Sequence, residues 1–543
     1  MLIFRYKVVI LLISLGVSLG VNDELGQNNE NQGFPRDDGV TLKRFRRNRF
    51  RRYNHKHHHR KLSVRENIFL KTTSEHTKVK DHSTTKNIIL DVVIVGAGWA
   101  GASAGITLQQ RGITNFQILE GRNVTGGRSR SVVQSWEGQD IPIDLGSQWV
   151  HGMTGNPIMD IVTSNDVPYS ISEGLQLFFR ESNAGGGPFP SAEIMALESE
   201  LYSGTSGFFS YQEGKQESTW NDQSLHTTAN QYITGNNLSS YKQRVLEMFL
   251  NTFIGQEYAA SLDDLSLWWW DSDGEFNGQD AFLYKGYSDL FDVYTQSLQN
   301  KIQTHAKVTS IDTRSKVSKV KYTDESGSEI VVQARKVLVT VPLGVLKAET
   351  ISFKPRLPNK KRKAIAQVGM GLLNKVVLFW NESDTFWPLA TEWFTEASFE
   401  FYNPMSLNGD KPVLVGFLYG DDAKSLEEEF GNDPELYESK MTAGAMTALR
   451  NMFGTDIPDP EIVIVTQWGS DPFSFGSYSF NKVGMSRNAR KQLNKTIRKK
   501  RLYFAGEACH TKYFGTVHGK CRLICLEIIN IAKYVLKQTF SYS

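Results

Sequence analysis

"NIILDVVIVGAGWAG", Asn87–Gly101, is the stretch that decides the fold. Its apolar run, Ile88–Val95, fits a strand covered on both faces of a parallel sheet. Gly96, Gly98 and Gly101 then form G-x-G-x-x-G where that strand passes into a helix. This spacing serves a tight turn, backbone approach to a pyrophosphate, and close helix–strand packing, with the helix N-terminus facing the phosphates. Alone the pattern is weak, because glycine-rich turns recur for many reasons. Here the next strand, "FQILE", ends at Glu120, nineteen residues after Gly101. A carboxylate at that place accepts from ribose hydroxyls and disfavours a 2′-phosphate. The expectation is a βαβ start with a bound dinucleotide.

Which dinucleotide follows from two further stretches. "GRNVTGGRSRS" sets the glycine pair Gly126-Gly127 beside Arg128, a second place of close backbone approach to an anion. Near the other end of the chain, "YFAGE…TVHG" delivers Glu507 on a strand and N–H groups around Val517–Gly519. A nicotinamide enzyme needs neither. A long cofactor gripped at both chain ends fits FAD better than NAD.

At 543 residues the chain is too long for a single core. A formal net charge of +3 hides a division: residues 1–90 hold 18 Lys/Arg against 8 Asp/Glu, and the remainder 43 against 50. The opening "MLIFRYKVVILLISLGVSLG" has Arg5 and Lys7 ahead of a short apolar run ending in small residues. It suits a cleaved secretory signal over residues 1–21, with an uncleaved membrane anchor as the alternative, and no stable membrane insertion is expected after cleavage. Residues 22–87 have no apolar periodicity, and Lys43–Lys61 carry ten Lys/Arg and four His without an acid. Such a block is expected to be disordered, either a solvated spacer or a binder of polyanions. Its histidines lack fixed geometry, so no metal site is expected. Three clustered cysteines, Cys509, Cys521 and Cys525, are no disulfide framework. Four glycosylation sequons begin at Asn123, Asn237, Asn381 and Asn494, and Asn123 is expected to be buried.

Along the body, "YKQRVLEMFLNTFIG" spaces Val245, Phe249 and Phe253 as an amphipathic helix does. "KVLVTVPLGVL", "NKVVLFW" and "EIVIVTQW" read as buried strands, and "NAGGGPFP" as a surface loop. "SQWVHGMTGNP", Ser147–Pro157, keeps neither period and reads as an ordered loop holding His151. In "SLWWWDSDGEFNGQD", Asp271, Asp273, Glu275 and Asp280 follow three tryptophans. This is either a solvated acidic loop or a wall that attracts ammonium groups through carboxylates and ring faces.

"VIVGAGWAG", "GGRSRS", "DLGSQWVHG", "TVPLGVLK", "LLNKVVLFW", "DPFSFGSYSF" and "YFAGEACHTKYFGTVHG" together resemble the flavin-containing amine oxidases, most of all polyamine oxidases and the related histone demethylases. The resemblance runs from about Ile88 to Lys533. It implies an α/β fold in which a doubly wound, Rossmann-like FAD-binding domain (88–150, 285–345 and 470–543) is interleaved with an α+β substrate-binding domain (151–284 and 346–469). It further implies hydride transfer from an amine C–H to noncovalent FAD, then imine hydrolysis and peroxide formation with O2.

Residue by residue, the resemblance makes Gly96, Gly98, Gly101, Glu120, Arg122, Gly127, Arg128, Val308, Glu507, Thr516 and Val517 cofactor-binding. Lys375 matches a lysine that holds a water against the flavin. Tyr513 matches an aromatic beside the substrate amine, and His151 occupies a tunnel position where an imidazole helps the amine shed its proton. Trp149, Tyr478 and Glu275 fall to the substrate side. Two departures stand out: "KCRLI", Lys520–Ile524, replaces small residues after "TVHG", and Phe475 stands where relatives often carry Arg. The expected function is a secreted polyamine oxidase. The alternatives are a monoamine or L-amino-acid oxidase, or a flavin-fold binding protein tethered to polyanions by its basic head; the demethylase reading sits poorly with a secretory signal.

Overall fold

The computed structural model describes residues 89–172, 177–179, 196–387, 393–396, 399–404, 412–497 and 501–519. The expected signal segment, the basic segment, "NAGGGPFP" and "KCRLI" lie outside the described residues.

Strand β1 (Ile89–Val95) runs parallel to β2 (Phe116–Leu119) on one side and to the second half of the long strand Glu329–Val339 on the other. Leu502–Phe504 adds a further parallel strand beyond Glu329–Val339, and Ile302–Gln303 extends the sheet beyond β2. The alternation along β1 explains its unbroken hydrophobicity. Val92 and Ile94 enter a core with helix α1 (Trp99–Gln110), Tyr287 and Phe291, while Val93 and Val95 enter a second core with Val337, Val339 and Leu343. Each such fully buried side chain contributes about 1.5–3 kcal/mol relative to exposure. Helices therefore cover both sheet faces, as the sequence pattern requires.

A second sheet orders Ile462–Val465, Leu373–Phe379, Val413–Tyr419, Phe399–Tyr402, Trp393–Glu396 and Leu177–Phe179. The strand Leu373–Phe379 is buried on both sides. Val376 and Leu378 pack toward the helix Pro434–Phe453, while Val377 and Phe379 pack toward Ile141 and Ile143 of the hairpin Ser131–Trp136/Gln139–Asp144. Lys375, in step with Val377 and Phe379, shares their face. A mixed α/β architecture whose doubly covered sheet is parallel around β1, with antiparallel pairing at Ser318–Thr323 on its far side, is the fold the resemblance implied.

Two readings need correction. The loop carrying His151 starts with a short strand, Trp149–Val150, paired with Asp280–Leu283, and ends at a helix, Pro157–Ser164, capped by Asn156. Asn123 is exposed rather than buried, because it stands on the outer side of the loop before the glycine pair; Asn237 is exposed as well.

The turn from β1 to α1 depends on Gly101. A Cβ there would lie 1.9 Å from the carbonyl oxygen of Gly96, which is rigid backbone. Gly101→Ala is expected to destabilise the protein by about 1–3 kcal/mol. Denaturant unfolding measures this, and an unchanged midpoint would contradict the packing argument.

Candidate active site

Two cavities of about 1110 and 1370 Å³ share Arg128 and Glu507 in their walls. The first is lined by Gly96, Gly98, Glu120, Arg122, Gly127, Arg128, Val308 and Glu507 among others; the second by Trp149, His151, Lys375, Tyr478, Thr516 and Val517.

The first cavity fits the expected dinucleotide. Gly126 and Gly127 have φ of +90° and +63°, a backbone shape that favours glycine, and Gly98 faces them closely enough that a Cβ would come 3.9 Å from the Gly127 Cα. Side chains at either place would fill the cradle. Glu120 accepts from the backbone N–H of Ala97 (2.7 Å) and of Arg122 (3.0 Å), so it also closes the glycine turn. Burial raises its pKa, opposed by those N–H groups and by Arg122. A carboxylate offers about four acceptor positions, so two remain for ribose hydroxyls. Arg122 itself pairs with Asp471 at 2.8 Å, donates to Ser474 at 3.1 Å and lies over the Phe473 ring, fastening the loop that carries "DPFS" to the cavity rim. Gly101 lines neither of these cavities; it packs α1 onto the turn, as its part of the motif demands.

Where the cavities meet, Glu507 accepts from Arg128 (3.0 Å), Ser479 (2.6 Å) and the Gly515 N–H (3.0 Å). Arg128 also donates to the Ser477 carbonyl at 2.6 Å. The two ends of the cofactor motif set are thus joined by a buried ion pair.

In the second cavity Lys375 is buried, and its three ammonium protons have three acceptors: the carbonyls of Asp144 (2.7 Å) and Gly146 (3.0 Å), and Oε1 of Gln148 (2.8 Å). Its charge also lies over the Phe417 ring, 5.6 Å from the centroid. In this arrangement the lysine ties segment 144–148 to the sheet. To hold a water, as the resemblance implied, it must release one acceptor, and Gln148 supplies the one that is a side chain. Burial brings its pKa down to about 8, opposed by the Asp144 carboxylate. Burial likewise raises Asp144 to about 6, against hydrogen bonds from Ser131 (2.5 Å) and the Tyr287 N–H (2.8 Å) and the charge of Lys375.

His151 Nδ1 lies 2.5 Å from Oδ2 of Asp280, whose Oδ1 accepts from the Gly152 N–H at 2.9 Å. An ionised carboxylate only accepts, so Nδ1 carries the proton and Nε2 remains for the cavity. Asp280 is buried on the strand paired with Trp149–Val150, which fixes the pair by register. Trp149 meets Tyr402 edge-on at 4.8 Å and lines the same wall.

The acidic stretch after the tryptophans does not form one wall. Asp271 accepts from Gln216, Asp273 from Tyr258, and Asp280 holds His151. Glu275 is exposed and outside both linings, as local turns send the four carboxylates in different directions. Tyr513 also lies outside the linings: it stacks on Phe276, with centroids 5.0 Å apart and planes at 5°, and edge-on to His518, which does line the second cavity. Phe475, at φ +49°, is half-buried and packs against the core that holds Val337, Val339 and Leu343. Asp144, Gln148, Glu257 and Phe417 were missed as site residues. The first two sit inside the quoted "DLGSQWVHG"; the others carry no local signal.

The lysine's depressed pKa has a stability consequence. Between about pH 8 and its ordinary 10.5 the unfolded chain binds the extra proton, so stability rises with pH across that window. Lys375→Met is expected to lose this rise. Denaturant unfolding at pH 8 and pH 10 checks it, and an identical pH dependence in the two proteins would refute it.

Residues 99–521 match the profile of a family described as flavin containing amine oxidoreductase. A lysine-specific histone demethylase 1 homolog 3 from Arabidopsis thaliana is 30% identical over 495 residues, covering 79% of this chain and 29% of that protein. Probable polyamine oxidase 4 from the same plant is 27% identical, covering 84% and 90%. The chain spans 29–56% of the length of the first three demethylase homologues. Among solved structures, cyclohexylamine oxidase from Brevibacterium oxydans superposes with a TM-score of 0.62 at 19% identity, over 82% of this chain and 100% of that one. A double mutant of putrescine oxidase gives 0.60 at 18%, over 81% and 98%. These two likenesses concern the fold. The chain belongs to the flavin containing amine oxidoreductase family.

Proposed function

We propose that the chain is a secreted oxidase of polyamines that holds FAD noncovalently. The observation that carries the reading is the His151–Asp280 pair, which presents an imidazole nitrogen to a cavity walled by Trp149, Tyr287, Phe417, Trp468 and Tyr478. FAD held by Glu120, Arg122, Arg128 and the glycine turns would supply two-electron oxidation of the carbon beside the amine, with O2 as the final acceptor. The residues of the chain do the rest. An amine arrives as an ammonium and must lose a proton before its C–H bond becomes a hydride donor. Nε2 of His151 accepts that proton, and Asp280 stabilises the imidazolium that results. Aromatic faces attract the cation and orient it while excluding water. Arg122, Arg128, Glu120 and the glycine turns hold the cofactor's polar end.

Two alternatives fare worse. An L-amino acid needs a cation opposite its carboxylate, but Arg128 is paired with Glu507 and Lys375 has its three acceptors. Both relatives named as demethylases and relatives named as polyamine oxidases match the chain. The near-complete span of the latter favours the small polycation.

Secretion rests on residues 1–21, and the exposed sequons Asn123 and Asn237 are compatible with that route. Expression of the full chain with a C-terminal tag in a secreting eukaryotic cell should place it in the medium with glycan-dependent mobility; retention of all of it in the lysate overturns this part.

For the chemistry, the purified protein should be yellow and bleach without oxygen on adding spermine or spermidine, and far more slowly with benzylamine or leucine. His151→Ala and Asp280→Asn should each keep FAD and lose about 10²-fold or more in kcat, with an altered pH profile. Unchanged profiles in both variants would refute the assigned role.

A further inference from the structure

Val345, Leu346 and Ile351 line the first cavity and also a further one, of about 1360 Å³, whose other walls hold none of the residues assigned to cofactor or amine. It lies among the short helix Leu343–Lys347, the edge strand Ser352–Lys354 and the helix Asn359–Gln367. Its floor is aliphatic: Val345, Ile351, Leu357 and Ile365 are buried and belong to the core around Val337 and Val339. Among the described residues Phe353 is its one aromatic ring and Ser352 its one hydroxyl. Such a lining suits a hydrocarbon chain, because a planar polar base would leave its hydrogen-bonding edges unanswered.

The rim has an excess of positive charge: Lys347, Arg356 and Arg362 stand against one acid, Glu349. Two of these cations belong to "FKPRLPNKKRK", Phe353–Lys363, which has six Lys/Arg and no acid. A run of cations is ordinarily a solvated face, and Lys361 has a structural place, buried against the Leu493 carbonyl at 2.5 Å and over the Phe504 ring. Arg356 and Arg362 differ from both cases in bordering an apolar hollow. Arg362 donates to the Leu357 carbonyl at 3.3 Å and to Oδ1 of Asn359, and Lys347 to the Ala366 carbonyl at 3.1 Å, all neutral acceptors. The ion pairs among the described residues engage neither Lys347 nor Arg362. Asp264, the carboxylate whose charge acts on Lys347, is itself paired with Lys424 at 3.4 Å and Lys482 at 2.9 Å. Cations held beside apolar surface by neutral acceptors are answered by an anion, and a guanidinium fork binds a carboxylate through two parallel hydrogen bonds.

We propose that this cavity binds an aliphatic carboxylate, with its head at Arg356, Arg362 and Lys347 and its chain along Ile351, Leu357 and Ile365. The site is independent of the amine chemistry, and its ligand is opposite in charge to an amine. The head supplies the counter-charge that Lys347 and Arg362 lack, and the chain covers the aliphatic floor.

The test is calorimetric titration of the FAD-loaded full chain with hexanoate, octanoate and decanoate, with acetate and octan-1-ol as controls. Affinity should rise about fourfold with each methylene, the gain from burying one CH2, and acetate should show no binding. Octanoate binding should weaken with added salt, as an ion pair does, while octan-1-ol binding should not. Arg356→Gln and Arg362→Gln should each weaken octanoate at least fivefold and leave octan-1-ol unchanged. Ala366→Phe, at an exposed position of the helix, fills the cavity and should weaken both ligands at least tenfold. The arginine changes remove charge without altering the floor, and Ala366→Phe alters the floor without removing charge. Octanoate binding that is absent from the wild type, or that survives all three changes, overturns the site. Affinity independent of chain length, or acetate binding as tightly as octanoate, also overturns it.

Discussion

An ammonium inside a β-sheet sets the terms for the rest of this molecule. Lys375 lies on a strand buried on both faces, where an unpaired charge would be prohibitively costly. The chain answers by bringing the polar edge of segment 144–148 against it, two carbonyls and one amide oxygen, from more than 220 residues away in sequence. That segment is held from its other side as well: the N–H of Leu145 donates to the Arg130 carbonyl and that of Ser147 to the Arg128 carbonyl. Arg128 continues to Glu507, and Glu507 to Ser479 and Gly515. One unbroken series of polar contacts therefore runs from the second sheet, past the cofactor cradle, to the last described segment. Moving the lysine would disturb the register of both cavities.

Such an arrangement is legible in sequence only in part. The strand–turn–helix of Asn87–Gly101 carries its own instructions, since a parallel strand with helices on both sides needs apolar residues at every position and its turn needs glycine where no Cβ fits. Glu120 is readable for the same reason, because its place follows from the length of one βαβ unit. The motif set also placed His151, Lys375, Arg128 and Glu507 around connected space. What escaped were partners fixed by long-range register. Asp280 looked like one of four equivalent acids, and only its strand's pairing with Trp149–Val150 turns it toward His151. Tyr513 was assigned by analogy to the substrate side, yet Phe276 caps its ring, and it is the neighbouring His518 that reaches the cavity. Glu400 stands in "FEFY", a stretch whose hydrophobic company announces a buried strand and says nothing of what the single acid faces.

On the proposed reading, the residues around the second cavity face two electrostatic tasks that one group cannot perform at once. Capturing a polycation calls for negative charge in a poorly solvated enclosure, where attraction is strong. Oxidising an amine calls for that nitrogen to be neutral, and a bare carboxylate beside it would hold the proton in place by stabilising the ammonium. The structure separates the demands in space. At His151 the acid is set back: Asp280 touches the ring and the Gly152 N–H, so an imidazole nitrogen and not a carboxylate is presented to the cavity. Glu257 lines another part of the wall, where Tyr478 donates to its carbonyl, and Glu400 stands across Phe417 from the lysine. On the proposed reading, the nitrogen that reacts is thereby kept from a carboxylate that would hold its proton in place.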